Sequence, residues 1–334
     1  MRNDARPRIP LAALLTMILA AGLSACIPPH GDSPAASPKD LPNTGVLFFH
    51  RYTDYAAWDA SLFELDLASG RLTRISAGWK HMLSPINAHP NAAGDEITFM
   101  GSQAGLPDNE WDVFVSRWDG STWAEPVNLT GPNGKRDEDP KFGPDGHTIT
   151  YKEDGVLATI LDDGSGKQLL TPGEPESSMP YFTSDGSGII FEREGSIWLR
   201  SSGSESVLWQ AAGTKAYYPI GVSRSRFLFT EVQASHHDRI VWGSYTGKDP
   251  VPMFTGSDDC DNSDPYPYEQ GQRFVFYVTG CPVVFKGGYN LVVADRATRT
   301  VHNVDEINPD ANSHDQELGP AWSGTASFPK TGNL

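Results

Sequence analysis

The chain has 334 residues, with 26 Lys and Arg against 42 Asp and Glu, which gives a formal net charge of −16. A chain this acidic is a poor candidate for nucleic-acid binding, because phosphate contacts are made chiefly by Lys and Arg. For the same reason it is not expected to bind anionic lipid surfaces, except through a lipid of its own. Cations, neutral glycans and basic protein surfaces remain as partners.

The first 25 residues have the form of an export signal. Three arginines precede an apolar run from Ile9 to Leu23, which is too short and too rich in Ala and Gly for a membrane span. The quartet Leu-Ser-Ala-Cys that ends at Cys26 resembles the lipobox of bacterial lipoproteins. This resemblance implies cleavage before Cys26, a diacylglycerol on its thiol and, because Ile27 follows, sorting to the outer membrane. An ordinary signal peptide with a chance cysteine is the alternative.

Residues 26–44 are rich in Pro, Ser and Ala and have no periodic apolar pattern, which predicts a flexible tether. The first 25 residues hold three Arg and one Asp, so that 23 basic and 41 acidic residues remain after their removal, a net charge of −18. We therefore expect an exported, membrane-anchored protein on the periplasmic or cell-surface side.

Cys260 and Cys281 are the two cysteines left if Cys26 carries a lipid. In an oxidising compartment such a pair is expected to form a disulfide, here around one strand-turn-strand stretch. A bridge of this span stabilises the fold by roughly 3 kcal/mol. Two inert thiols or a metal site are the alternatives, which the lack of CxxC spacing and of a nearby histidine disfavours.

Two stretches about 40 residues apart are near copies of each other: DPKFGPDGHTITYKEDG at 139–155 and MPYFTSDGSGIIFEREG at 179–195. In both, a proline is followed two residues later by Phe, and an aromatic strand residue, Tyr151 or Phe191, lies eleven residues past the proline. Such a unit contains only strand and turn signals and cannot bury its apolar faces alone. The repeat therefore predicts several stacked copies.

Six starts of this kind occur, at Pro85, Pro140, Pro180, Pro219, Pro265 and Pro320. Each except the last is followed by further strand signals with Gly, Asp and Ser at the turns. After Pro140, for example, two more strands are predicted at Gly155–Leu161 and Lys167–Thr171. Four short strands per unit is the sequence form of a propeller blade.

The two ends of the repeat region complete each other. Gly45–His50 resembles the second strand of a blade without a first, whereas Pro320–Ser323 is a first strand with nothing after it. The sequence thus predicts an all-β, six-bladed β-propeller at 45–324, closed by the C-terminal strand joining the N-terminal blade, with a short tail at 325–334. A β-sandwich of irregular hairpins is the alternative.

The units P-x-F-x-x-D-G-x-x-I-x-[FY], each followed by an apolar strand, a turn and a final L-T, resemble the WD40-like propeller repeats of the TolB family. The match is sharp at Pro140 and Pro180 and degenerate elsewhere. TolB proteins carry an additional α/β domain before the propeller, where this chain has a tether. The resemblance therefore implies the propeller and not membership of the Tol system.

In a four-stranded blade, the loops into the first strand and those between the second and third open on one side, here called the top face. Aromatic residues on these loops predict a stacking platform for sugar rings or apolar side chains. They are Tyr52, Tyr55, Trp58, Trp79, Tyr217 and Tyr218. The strand aromatics Phe99, Tyr151, Phe191, Trp198 and Phe276 are expected to pack between blades instead.

An acidic group on the same loops could hold a divalent cation such as calcium through carboxylate oxygens. Its members are Asp137, Glu138, Asp139, Asp261, Asp264 and Glu317. Solvated loop carboxylates and turn caps are the alternative interpretation.

Histidines supply the candidates for catalysis, because neutral imidazoles on separate loops can bind a metal or act as a general base. The candidates are His81, His236, His237 and His314, together with Arg51 and Tyr52. Oligogalacturonate lyases with a propeller fold hold a metal with histidines and a glutamine, and Gln233 or Gln316 is similar in residue type but not in spacing. Exposed loop histidines without a common ligand are the alternative.

The leading hypothesis is a non-enzymatic, monomeric, lipid-anchored envelope module that binds a protein or glycan through its top face. The second is an enzyme acting on polysaccharide, a lyase or hydrolase. The best-patterned repeats are expected to be scaffold, so function is placed in the long loops around 50–60, 230–240 and 305–318. Histidines gathered within metal-ligand reach would favour the enzyme, and scattered ones the binding module.

Overall fold

Six four-stranded antiparallel sheets make up the protein. The computed structural model describes residues 41–105, 111–210, 213–233, 237–248, 250–257, 259–281 and 288–325. The predicted signal peptide, Cys26 and the tether up to residue 40 lie outside these residues.

The strands follow the predicted order, blade by blade. Blade 1 takes β1 (Val46–Tyr52), β2 (Ser61–Asp66) and β3 (Leu72–Arg74). Blade 2 contains β4 (Met82–Pro90), β5 (Glu96–Gln103), β6 (Asp112–Arg117) and β7 (Val127–Asn128). Blade 3 contains β8 (Asp137–Phe142), β9 (Thr148–Glu153), β10 (Val156–Leu161) and β11 (Gln168–Leu169).

The second half of the ring repeats this plan. Blade 4 contains β12 (Ser177–Phe182), β13 (Gly188–Arg193), β14 (Ser196–Ser201) and β15 (Ser204–Trp209). Blade 5 contains β16 (Lys215–Gly221), β17 (Arg226–Val232), β18 (Arg239–Ser244) and β19 (Val251–Pro252). Blade 6 contains β20 (Asn262–Pro267), β21 (Phe274–Thr279), β22 (Asn290–Asp295) and β23 (Thr300–Asn303), and β24 (Gln316–Ser323) completes blade 1.

Short 3₁₀ helices lie in three of the connections, at Tyr55–Ala57, Ile75–Gly78 and Val304–Glu306. In the described part of the chain, no helix is both long and apolar enough to cross a membrane.

The ring closes between β24 and β1. These strands pair antiparallel from Val46 opposite Ser323 to Tyr52 opposite Gln316, and β2 follows on the other side of β1. Neighbouring blades also pack face to face around the whole ring, including blade 6 against β24. The six-bladed propeller and its closure by the C-terminal strand are confirmed, and the sandwich alternative is wrong.

Local sequence explains the regular blades. Asp154-Gly155 and Glu194-Gly195 are two-residue turns with φ of 45° and 83°, and of 53° and 76°. Two successive positive φ values match the right-handed twist of the hairpin strands and favour glycine at the second position. Blades 3 and 4 therefore have tight turns on the top face, whereas the other four blades have longer loops between their second and third strands.

The core lies between the sheets. Phe99, Tyr151, Phe191 and Phe276 are fully buried there, as predicted, and Trp198 is partly buried against the cluster that contains Phe191. Leu41, assigned from sequence to the tether, is also part of the core. Its apolar side chain therefore packs on the propeller.

A disulfide joins Cys260 and Cys281, whose Cα atoms are 4.8 Å apart. It links the loop before β20 to the end of β21 on the top face, which confirms the predicted pairing.

Candidate ligand-binding site at the mouth of the central channel

The innermost strand of every blade bends at the repeated proline. The residue before that proline has a positive φ, between 47° and 60°, and the pairing register shifts at the same place. These residues are Ser84, Asp139, Met179, Tyr218, Asp264 and Gly319. Positive φ is unfavourable for residues other than glycine. Because all six blades adopt it, the bulge belongs to the scaffold, while the side chain that it carries differs from blade to blade.

The bulges surround a cavity on the ring axis, which five of the six bulge residues line, all except Ser84. The residues that follow the prolines also line it: Lys141, Tyr181, Ile220, Tyr266 and Ala321. The cavity leaves about 50 Å³ for the centres of water-sized molecules. At roughly 10–15 Å³ for one water, this is room for a few waters or the end of one side chain.

Two carboxylates and one ammonium group face this cavity. Asn87 Nδ2 donates to Asp139 Oδ1 at 3.1 Å, and the Gly319 N–H donates to Asp264 Oδ2 at 3.4 Å. Burial raises the pKa of Asp264 to about 6 and also raises the pKa of Asp139. Burial lowers the pKa of Lys141, whose Nζ donates to the Pro140 carbonyl at 3.2 Å. The charge of Lys141 acts on both carboxylates and partly offsets the effect of burial on their pKa values.

A hydrogen-bonded triad from alternate blades closes the lower end. His89 Nε2 lies 3.1 Å from Tyr181 Oη and 3.2 Å from Tyr266 Oη. The Phe142 N–H donates to His89 Nδ1 at 3.1 Å, so the imidazole proton of the neutral ring is on Nε2. Burial holds the pKa of His89 well below its usual value. The triad therefore separates the upper cavity from a second cavity below it, which these three side chains also line.

His50 connects the cavity to the rim. Its Nδ1 accepts a hydrogen bond from the Asn87 N–H at 3.3 Å, and burial lowers its pKa to about 3. The ring stacks on Tyr52 with centroids 5.8 Å apart. A neutral, fixed imidazole thus supports the first aromatic ring outside the cavity.

Four aromatic side chains continue outward from this point and are here called the aromatic strip: Tyr52, Tyr55, Trp58 and Trp111. Ring centroids are 6.1 Å apart between Tyr52 and Tyr55, 6.0 Å between Tyr55 and Trp111, and 4.6 Å between Trp111 and Trp58. Tyr55 is 52% exposed. Burial raises the pKa of Tyr52 and Tyr55 to about 12, so both phenols stay neutral at physiological pH.

Six of the residues singled out from the sequence meet in the strip and the cavity: Tyr52, Tyr55, Trp58, Asp139, Tyr218 and Asp264. The carboxylate of Asp264 contributes, after burial, to the raised pKa of both Tyr52 and Tyr218. The strip and the cavity therefore form one site, in which the charge of Asp264 acts on residues of both parts.

Other predicted binding residues lie elsewhere. Trp79 was predicted on the top surface, but it is buried in the core, stacked on Phe99 with centroids 5.1 Å apart. Arg51 is a link in the ring closure, because its Nε donates to Glu317 Oε1 at 2.6 Å and its Nη2 to the carbonyls of residues 310 and 311. Tyr217 is half-buried and contacts Tyr218 edge to face.

The remaining acidic candidates are held separately. Asn133 Nδ2 donates to Asp137 at 2.9 Å, the Tyr289 hydroxyl donates to Asp261 at 2.8 Å, and Asn290 Nδ2 donates to Glu317 at 3.0 Å. No group of three or more His, Cys, Asp or Glu is arranged to hold a metal ion within the ranges that the structure describes.

The histidine candidates are not gathered either. His81 and His314 are exposed and His237 is half-buried, while His236 lies outside the described residues. Gln316 accepts a hydrogen bond from the Tyr289 N–H at 2.9 Å, and Gln233 donates to Glu231 at 2.9 Å. Both glutamines are therefore engaged by their neighbours in the sheet.

Sequence reasoning missed several residues of the site: Asn87, His89, Trp111, Lys141 and the ring of His50. A signal existed for Lys141, since the middle residue of each P-x-F unit points to the axis when Phe142 packs between blades. His89 had no such signal, because β4 carries a second register shift between Ile86 and His89.

Sequence comparison finds no family model and no curated protein that matches the chain. Among solved structures, TolB from Acinetobacter baumannii superposes with a TM-score of 0.64 at 14% identity, over 84% of this chain and 66% of that one. The chain has the propeller fold of TolB. It spans just under two thirds of that TolB chain.

Two other structures share this TolB-like propeller. An oligogalacturonate lyase from Vibrio parahaemolyticus gives a TM-score of 0.52 at 10% identity, over 77% of this chain and 78% of that one. A chain of a nidogen/laminin complex gives 0.56 at 11% identity, over 84% and 98%. At such identities the likeness is one of fold, and function has to be argued from the site.

Proposed function

We propose that this TolB-like propeller is a lipid-anchored, monomeric binding module of the bacterial envelope. It takes a protein ligand on its top face, and a basic side chain of that ligand enters the central cavity. The observation that carries the proposal is the pair of carboxylates, Asp139 and Asp264. They line a cavity that opens beside the aromatic strip and is closed at its lower end.

The size of the cavity favours the end of a side chain over a sugar ring. It has room for only a few waters, and the triad of His89, Tyr181 and Tyr266 blocks deeper passage. A Lys or Arg side chain that arrives from the top face enters a site where two carboxylates share the single ammonium group of Lys141. Its charge also lowers the cost of ionising the two acids, whose pKa values burial has raised.

The aromatic strip supplies the second half of the site. Large, rigid side chains such as Tyr55 and Trp111 present contact area with little loss of conformational entropy, which is why aromatic residues dominate protein interfaces. A ligand segment with a basic residue next to an apolar one would contact both halves. The overall negative charge favours its approach.

The test uses short synthetic peptides that pair Lys or Arg with Leu or Phe, and matched peptides with Glu in place of the base, titrated against the full chain in detergent. Basic peptides are expected to bind, and Asp264→Asn and Tyr55→Ala are expected to weaken binding roughly tenfold each. Glu194→Gln removes one charge from the tight top-face turn of blade 4 and is the matched control. Equal binding by the Asp264→Asn variant and the unchanged chain would overturn the proposal.

The enzyme hypothesis is examined in the same preparation. A polysaccharide panel is incubated with the protein and followed by ultraviolet absorbance for unsaturated products. If unsaturated products form, and if a His237→Ala variant no longer forms them, the protein is a lyase and the binding-module proposal is wrong. The scattered positions of His81, His237 and His314 argue for the opposite result.

A further inference from the structure

The net negative charge of the chain conceals a local concentration of arginines. They lie on the bottom face, formed by the loops between first and second strands and between third and fourth strands. Four of them, on the loops of blades 5 and 6, are here called the arginine patch: Arg224, Arg226, Arg296 and Arg299. The adjacent Arg273 forms an ion pair with Asp295, with 2.7 Å between Nη2 and Oδ2.

Aromatic rings hold three of these arginines in place. The guanidinium of Arg226 lies 4.9 Å and that of Arg296 4.5 Å from the centroid of Trp242, and Arg299 lies 4.7 Å from that of Phe254. Cation–π contacts of this kind orient a guanidinium without neutralising it. Burial lowers the pKa of Arg296, and so does the positive charge of Arg226, because both guanidinium groups contact the ring of Trp242.

The four guanidinium groups carry uncompensated charge. Within the ranges that the structure describes, none of them forms an ion pair with a carboxylate. Among the described residues of these bottom loops, the acidic side chains are Asp295, already bonded to Arg273, and the exposed Glu269, while Asp249 lies outside the described residues. Across the ring, the bottom loops of blades 2 and 3 carry acids instead: Asp95, Asp119, Asp145, Asp162 and Asp163. The bottom face is therefore basic on one side and acidic on the other.

The chain enters the propeller on the basic side. Thr44 Oγ1 lies 2.7 Å from the Tyr268 hydroxyl, on the loop between β20 and β21. The carbonyls of Gly271 and Gln272 on the same loop accept hydrogen bonds from Arg296 Nη1 at 2.6 and 3.1 Å. Thr44, near the start of the described residues, thus lies beside the loop that contacts the arginine patch.

We propose that the arginine patch docks the propeller on a membrane surface that carries anionic phospholipid headgroups. The inference rests on the lipid anchor of the proposed function, because residues 26–40 then connect the membrane to the same side of the fold. For a chain of 15 residues with linker composition, the expected end-to-end distance is roughly 20 Å, which keeps the patch close to the surface. Arginines within about one Debye length, near 8 Å, are attracted to the headgroups, while the acidic side is repelled. The propeller therefore contacts the membrane through the bottom loops of blades 5 and 6, and its top face stays accessible to a ligand.

The test measures how close the patch comes to the lipid. The full chain carries Ser225→Cys, which places a thiol for a fluorophore between Arg224 and Arg226, and is mixed with vesicles that hold a headgroup-linked quencher. Vesicles of phosphatidylcholine alone are compared with vesicles that also contain phosphatidylglycerol. Quenching is expected to be several-fold stronger with phosphatidylglycerol and to fall as salt is added. The double substitution Arg226→Glu and Arg299→Glu is expected to weaken it roughly tenfold.

Two controls make the result specific. Arg74→Glu with Lys215→Glu reverses two exposed charges in the upper half of the fold and should leave quenching unchanged. A label at Glu194→Cys, on the top face, should be quenched weakly in both kinds of vesicle. Should the charge-reversed protein misfold by circular dichroism, Arg226→Gln with Arg299→Gln repeats the measurement with smaller perturbation.

Two results would overturn the inference. One is equal quenching in the two kinds of vesicle, and the other is equal quenching of the charge-reversed variant and the unchanged chain. Failure of the proposed function is detected separately. Loss of peptide binding concerns the top face, and sedimentation of the full chain with phosphatidylcholine vesicles alone reports the anchor. The patch contributes nothing to either readout.

Discussion

A single buried carboxylate shows how this fold depends on proton binding. Glu64 on β2 is 1% exposed and accepts a hydrogen bond from Trp123 Nε1 at 2.9 Å. Burial raises its pKa to about 7, an effect that the indole hydrogen bond offsets only in part. In the unfolded chain the same carboxyl titrates near its ordinary value of about 4.3. The folded state therefore holds a proton that the unfolded state has already lost.

We expect the stability that Glu64 contributes to be complete below about pH 4.3 and to be lost as pH rises through about 7. The change amounts to at most about 4 kcal/mol, at 1.4 kcal/mol per pH unit between about 4.3 and about 7. Glu64→Gln keeps the acceptor for Trp123 and removes this slope. Chemical denaturation at pH 5 and pH 8 measures it, with the exposed Glu269→Gln as control. If the Gln variant shows the same loss between these two pH values as the unchanged chain, another group is responsible.

Gly319 illustrates a backbone position where a side chain has no room. Its φ is 60°, and a Cβ atom built there would lie 2.9 Å from His50 Cε1 and Nδ1 and 3.0 Å from Asn87 Oδ1. These neighbours are held by the hydrogen bond between the Asn87 N–H and His50. The arrangement of His50 and Asn87 at the rim of the candidate site therefore requires glycine at position 319.

We predict that Gly319→Ala lowers the free energy of unfolding by roughly 2–4 kcal/mol, of which about 1–2 kcal/mol is backbone strain. Gly203→Ala is the matched control, because Gly203 has φ of 79° and nothing within 4 Å of its Cβ position. The control should show the strain alone. Denaturant midpoints of the two variants give the difference, and equal midpoints would mean that His50 and Asn87 move aside at no cost.

At the level of elements, β24 determines whether the ring is closed. It supplies the innermost strand of blade 1, and Glu317 on it accepts a hydrogen bond from Arg51 on β1. Without β24, the buried strand β1 would expose an unpaired edge of apolar residues. Such an edge is a site for aggregation.

A chain that stops after Asp315 is therefore expected to lose cooperative unfolding and to aggregate, whereas a chain that stops after Thr325 should keep both its solubility and its melting transition. The second truncation is the control, because it retains all of β24 and the contact of Thr325 Oγ1 with the Ala93 carbonyl. Thermal melts by circular dichroism and size-exclusion chromatography distinguish the two. Normal melting of the shorter chain would show that blades 2–6 close without blade 1.

Strands with partners on both sides could be read from the sequence. β10 (Val156–Leu161) starts one residue after the predicted Gly155 and ends where predicted, since an apolar run marks an inner strand with neighbours on both faces. The outermost strand of blade 3 is shorter than predicted: Lys167–Thr171 reduces to β11 at Gln168–Leu169. An outermost strand has one neighbour only, so water competes for its hydrogen bonds and propensity alone does not set its ends.

The site was predictable where a residue sits on the repeat or on the long loop after β1, which carries Tyr55 and Trp58. Asp139, Tyr218 and Asp264 precede the repeated prolines, and the bulge directs all three to the axis. Trp79 looked equivalent in sequence but fills the space between blades 1 and 2, because a loop pattern does not state which way a side chain turns. Trp111 joins the aromatic strip through packing alone, which no local pattern encodes.

At the scale of the whole molecule, net charge proved a poor guide to local surfaces. A value of −16 argued against anionic partners, yet the arginine patch and the acids of blades 2 and 3 lie on opposite sides of one face. A propeller places residues distant in sequence on the same loop ring, so charge has to be summed by face and by blade.

Closure of the whole ring depends on the order in which the chain runs through it. In the natural order, blade 1 is shared between the two ends of the propeller, and opening it breaks the pairing of β24 with β1. A circular permutant can change this order while keeping every contact. Val46 and Ser323 are paired neighbours, so a short linker from Thr325 to Leu41 joins the old ends. The exposed loop between β11 and β12 offers a new break after Gly173.

In this permutant each blade is continuous, and the ring closes only by side-chain packing between blades 3 and 4. We expect a lower denaturant midpoint than in the unpermuted chain 41–325, together with faster amide exchange in β8 and β12, because the new ends can separate without breaking a strand pair. Exchange in β1 should slow, since β24 and β1 become one hairpin. An unchanged midpoint with unchanged exchange would show that packing between blades, and not the shared blade, holds the propeller closed.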